Sequence, residues 1–88
     1  MQRTLMRTAL TTDAAGQAVQ LDYYLITQYA AGLTQYGAEI VMHRGHQQER
    51  CAVGCITSLA ASITGIIAAL AEGTVTPTSM RDILQDIL

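Results

Sequence analysis

From Cys51 to Ala71 the chain runs for 21 residues without a charged side chain, CAVGCITSLAASITGIIAALA. A stretch of about 20 mostly apolar residues is long enough to cross a bilayer. It also describes a short buried strand that runs into a packed helix. The residues favour the second form. Cys51–Gly54 continues an alternating strand pattern better than it begins a helix. What remains, Ile56–Ala71, is 16 residues and carries Thr57, Ser58, Ser62, Thr64 and Gly65, which weaken insertion. Only Arg50 lies near either end, so no cluster of Lys or Arg fixes an orientation across a membrane. A small membrane-associated protein using Ile56–Ala71 is the alternative reading.

Upstream of this run the pattern has a period of two. Arg3–Leu10 alternates loosely, and TTDAAGQ at Thr11–Gln17 is a turn with Asp13 and Gly16 as its key residues. In Val19–Tyr29, Val19, Leu21, Tyr23, Leu25 and Tyr29 share one parity with Thr27, against Gln20, Asp22, Tyr24, Ile26 and Gln28 on the other. Gln35–His43 places Tyr36, Ala38, Ile40 and Met42 on one face and Gly37, Glu39, Val41 and His43 on the other. Arg44-Gly45-His46-Gln47 reads as a hairpin connection. Cys51, Val53 and Cys55 then share a face of the fourth strand. The strands are expected at about 3–10, 18–30, 35–43 and 47–54.

From Thr57 the period becomes helical. Leu59, Ile63, Ile66, Ile67 and Leu70 form an apolar stripe, Thr57 or Ser58 supplies a cap, and Gly73 stands at the C-terminal end. Thr76 caps a second helix with Pro77 at its first position. Its apolar stripe is Met80, Ile83, Leu84, Ile87 and Leu88, with Arg81, Asp82, Gln85 and Asp86 opposite. The helices are expected at about 57–72 and 77–87. The fold class is α+β: a small antiparallel meander of about four strands, then two C-terminal helices packed on one face, in a single domain over residues 1–88.

The charge pattern limits the partners. The five cationic side chains are all Arg, widely spaced, against seven acids, for a net charge of −2. Nucleic-acid binding needs a basic stripe that this chain lacks. Two Cys make no disulfide framework, and the N-terminal residues contain no apolar run of signal-peptide length, so a cytoplasmic location with reduced thiols is expected. With four Tyr but no Phe or Trp, the core is thin, and an association that buries more surface would help it.

Chemistry has few candidates. His43, His46, Cys51 and Cys55 have metal-like spacings, and Cys51 with either His is a conceivable nucleophile pair. On one strand, however, Cys51 and Cys55 stand about 13 Å apart, too far to share a zinc ion or a disulfide. A thiol- or metal-dependent regulator using these four residues is therefore a further alternative only. The chain has no phosphate loop, no nucleophile elbow and no His-Glu-x-x-His, and neither catalysis nor a cofactor is expected. Asp82 and Asp86 lie one turn apart at the negative end of a helix, an arrangement that local rules disfavour. That acidic edge is either a solvated face held by Leu84, Ile87 and Leu88 or one that docks against Arg on a partner or on Arg7, Arg44 or Arg50 of the sheet. Tyr24 and Ile26, on the parity opposite the main apolar face, are expected to be exposed and to belong to a dimer surface.

The C-terminal stretch GTVTPTSMRDILQDIL resembles the end of a family of short, uncharacterised bacterial proteins, a domain-of-unknown-function family of Gram-positive anaerobes. The likeness rests on the Val75-Thr76-Pro77 turn, on Asp82 and Asp86 four apart, and on the apolar terminus. Tyr23-Tyr24 and Tyr36-Gly37 add to it, and it covers roughly Val19–Leu88. The resemblance implies a small soluble protein and carries over no catalytic residues. The reading that results is a non-catalytic protein-interaction module, self-associating or binding another protein, with Tyr24, Ile26, Arg81, Asp82 and Asp86 as its surface.

Overall fold

A computed structural model describes Met1–Ile87; Leu88, placed above in the second helical stripe, lies outside the described residues. Four strands, β1 (Gln2–Thr12), β2 (Ala18–Ala30), β3 (Leu33–Arg44) and β4 (Gln47–Thr57), are followed by helices α1 (Ala60–Glu72) and α2 (Met80–Ile87). The sheet is an antiparallel meander in the order β1-β2-β3-β4. The α+β architecture is the one expected.

The period-2 residues make one core with the helical stripes. Val19, Leu21 and Tyr23 of β2 and Ala38, Ile40 and Met42 of β3 pack against Ile63, Ile67 and Leu70 of α1 and Met80 and Leu84 of α2. Tyr23 is fully buried, and its hydroxyl donates to the Val75 carbonyl at 2.9 Å. This bond ties the connection between the two helices to the middle of the sheet. The uncharged run is thus divided. Cys51–Thr57 belongs to β4, Ala60–Ala71 belongs to α1, and the apolar stripe of α1 is used against the sheet. Among the described residues, no helix is long and apolar enough to cross a membrane.

Several boundaries differ from the expected ones. β4 continues to Thr57 through a bulge: Ala38 faces Val53 but Tyr36 faces Thr57, so Gly54, Cys55 and Ile56 stand opposite Gly37 alone. Cys55 takes a positive φ of 54° there, and its thiol donates to Gln28 Oε1 at 3.5 Å on the face away from the helices. Cys55 therefore does not share the face of Cys51 and Val53. The N-cap of α1 is Leu59, whose backbone N–H is received by Thr57 Oγ1 at 3.1 Å, so Thr57 stabilises the entry to the helix without being its cap. Residues Thr76–Ser79 form a turn before α2 closed by Ser79 N–H to the Thr76 carbonyl, and α2 begins three residues after Pro77.

The end of α1 is also displaced by one residue. Val75 N–H bonds to the Leu70 carbonyl and Thr74 N–H to the Ala71 carbonyl, the two bonds of a Schellman motif. The left-handed position of that motif is Thr74, with φ 47°, and not Gly73, with φ −83°. A β-branched residue pays about 1–2 kcal/mol for this conformation. Thr74→Gly is expected to stabilise the fold by about 1 kcal/mol, read as a higher urea midpoint at unchanged slope. An unchanged or lower midpoint counts against this assignment.

Candidate functional site

The helix-free face of the sheet is closed by its own polar side chains. Glu39 lies at its centre, 6% exposed, and bonds to Arg3 from β1, while Arg50 Nε from β4 is 3.8 Å from its second oxygen. Arg3 also lies over the Tyr24 ring, 3.8 Å from its centroid. The hydrogen bond to Glu39 raises the pKa of Arg3 further above the ordinary arginine value, so it is charged at any working pH. Asp22, also buried, accepts from Thr8 Oγ1 and Gln20 Nε2 at 3.0 Å each, and its other oxygen is 3.1 Å from His43 Nε2. Two buried carboxylates on an uncovered face are thus each held by partners, as burial of charge requires.

This arrangement corrects the expected exposure of the face. Tyr24 is half-buried beneath Arg3, and Ile26 is only 6% exposed. The long arm of Arg3 runs across the sheet to reach Glu39 and covers Tyr24 on the way. The signal was present in the sequence, since Asp22 shares parity with Tyr24 in β2 and Glu39 with His43 in β3. What pairs with what depends on strand register.

A one-residue slip in β1 decides which of its side chains reach this face. Leu5 faces Tyr24 and Arg7 faces Tyr23, leaving Met6 as a bulge. Arg3 and Leu5 before the bulge, and Thr8 and Leu10 after it, lie on the open face, whereas Arg7 falls on the helix side. β1 is a sheet edge, and Leu5, Met6 and Leu10 are 52%, 39% and 77% exposed. These apolar residues were not singled out from the sequence, because the slip breaks their alternation.

The other edge is different. β4 runs beside α2, and Arg81 Nη2 donates to the Ala52 carbonyl at 3.4 Å. Asp82 and Asp86 are exposed on α2. They do not meet the arginines that docking on the sheet would require: Arg44 is paired with Asp13 at 3.2 Å and Arg50 lies beside Glu39, and among the described residues Asp82 and Asp86 form no ion pair. The acidic edge is thus not docked on the sheet.

The thiols and imidazoles are dispersed. Cys51 faces Ile40 on the helix side, His43 is on the opposite face with Asp22, His46 is exposed in the β3–β4 turn, and both Cys are free. The sheet itself separates Cys51 from His43, so the strand pairing does not assemble that nucleophile pair.

A family model described as a family of unknown function, DUF6514, matches residues 2–88. The chain belongs to this family. The DUF6514 match takes in the residues of β1 as well as the stretch from Val19 onward. No curated protein and no solved structure matches the chain.

Proposed function

We propose that this protein is a non-catalytic interaction module that self-associates through β1. The observation that carries the reading is the exposure of Leu5, Met6 and Leu10 along an 11-residue edge strand. An edge strand offers unpaired N–H and C=O groups, and proteins usually blunt such edges with charge or cover them. Here Arg3, the charge nearest the start of β1, is turned inward to Glu39 and is not available to repel a neighbouring strand. Leu5 and Leu10 extend the patch onto the open face, where Leu5 stands opposite the half-buried Tyr24. Tyr24 therefore belongs to the margin of the proposed surface and Ile26 does not. Two copies whose β1 edges pair about a twofold axis use both of those edges, so pairing at β1 ends with two copies. A cytoplasmic setting accords with two free thiols.

Light scattering on the eluting reduced protein is the test. The expected mass is twice the 9.4 kDa of the chain, falling to the monomer mass in Leu10→Asp with an unchanged circular-dichroism spectrum and a lower melting temperature. A wild-type protein of monomer mass at about 100 μM, well above the Kd of a stable dimer, overturns self-association.

A further inference from the structure

The β4 edge and α2 enclose a groove that the proposed β1 pairing does not use. Two open hollows lie along it. One, of about 530 Å³, is lined by Arg50, Cys51, Thr78 and Arg81, with Glu49 and Pro77 at its margin. The second, of about 440 Å³, is lined by Val53 and Leu84, with Gln85 and again Arg81. Arg81 stands between them, so the two are parts of one groove running beside β4 from Glu49 to Val53.

The groove has three kinds of unused binding capacity. The first is backbone: β4 is a terminal strand, and on its outer side alternate residues have no strand to pair with. Only a long 3.4 Å bond from the exposed Arg81 occupies the Ala52 carbonyl. The second is charge. A guanidinium has five donors, and the exposed Arg81 spends one of them on the long bond to Ala52. The third is apolar area at the half-buried Val53 in the second hollow.

We infer that this groove binds an extended peptide that adds to β4 as a fifth strand, with an acidic side chain toward Arg81 and an apolar side chain two residues away toward Val53. The spacing follows from the strand. Cys51 and Val53, one in each hollow, are two residues apart on one face, so a strand beside them places its own residues k and k+2 in the two hollows. The bound peptide displaces Arg81 from the Ala52 carbonyl, supplies that carbonyl with a backbone N–H, and frees the guanidinium for the incoming carboxylate. Specificity resides in the acid-x-apolar pattern and the main-chain bonds set the register.

The probes are two acetylated, amidated hexapeptides that carry the pattern in opposite orders, Thr-Val-Glu-Thr-Leu-Thr and Thr-Leu-Thr-Glu-Val-Thr. Each is titrated into the isotopically labelled full chain, with amide shifts read by NMR. One order is expected to move the amides of residues 49–53 and 78–85 together and to slow hydrogen exchange along β4. Replacing its Glu by Gln is expected to weaken binding about tenfold, as is Arg81→Glu in a protein whose remaining amides are unmoved. Inorganic phosphate is titrated alongside. Shifts confined to Arg50 and Arg81 and matched by phosphate reveal an anion subsite alone and overturn strand addition. Absence of any shift in residues 49–53 with either peptide up to about 2 mM, too weak to be a recognition site, overturns it as well. Neither result bears on β1 pairing, which light scattering reads separately.

Discussion

Gly37→Ala is expected to destabilise the protein by about 3 kcal/mol or more, lowering the melting temperature by roughly 12–24 °C. Gly37 lies in the middle of β3, where an added side chain should be harmless or mildly favourable by strand propensity. The bulge in β4 reverses that expectation. With Gly54, Cys55 and Ile56 opposite this one residue, the chain of β4 presses onto the Gly37 Cα. A Cβ there would overlap the Val53 carbonyl oxygen and stand 2.8 Å from Gly54 Cα. Both obstacles are backbone, so no rotamer change relieves the contact, and either β4 or β3 must move. Gly65→Ala is the internal control. Gly65 is exposed in α1 with nothing within 4 Å of an added Cβ, and the substitution is expected to stabilise by about 0.5–1 kcal/mol. Thermal melts of the two variants should move in opposite directions. If Gly37→Ala melts within a few degrees of wild type, the close approach of β4 is wrong.

Tyr23 supplies the second large effect. Tyr23→Ala removes a fully buried ring from the centre of the core and is expected to cost about 3–5 kcal/mol. Tyr23→Phe keeps the ring and removes the bond to Val75, at a cost of about 1–2 kcal/mol near neutral pH. The difference between wild type and the Phe variant should then depend on pH. Burial raises the Tyr23 pKa from 10.0 to about 12. The fold holds the neutral phenol, so this contribution is fully present below pH 10 and declines as pH rises from 10 through 12. Its size is on the order of 2–3 kcal/mol. The advantage of wild type over Tyr23→Phe should therefore shrink, and reverse, across that interval, because Phe has no proton to lose. Denaturant titrations of both proteins at pH 8 and pH 11.5 measure it. An advantage that is the same at both pH values would show that Tyr23 ionises as freely in the fold as outside it.

The candidate surfaces were only partly legible in advance. Arg81 stands on the polar face of the second helical repeat and in the interaction surface expected from the sequence, but the groove beside it depends on where α2 comes to rest. Tyr24 and Ile26 were assigned correctly to the helix-free side, and helices do cover only the other face. Exposure did not follow from that side alone, because Arg3 folds across it to Glu39. Asp82 and Asp86 remain at the surface and unpaired within the chain among the described residues. The sequence contained their unfavourable local setting but nothing about distance to Arg7, Arg44 or Arg50.

Periodicity by itself determined the four strands, the two helices and nearly every core residue. Val19, Leu21 and Tyr23, then Ala38, Ile40 and Met42, then Ile63, Ile67 and Leu70 are apolar at the repeat of their own element, and that repeat says which side must leave water. Tertiary structure decided the departures from the repeat. The slip at Met6 turns Leu10 outward with Leu5, and the Gly54–Ile56 bulge turns Cys55 away from Cys51 and makes Gly37 indispensable. A bulge is stabilised by what the neighbouring strand and the packed helix accept, which are contacts between residues distant in sequence. No window along a single strand contains that information, and for this reason the edges and the groove, where partners are proposed to bind, became visible only in the folded chain.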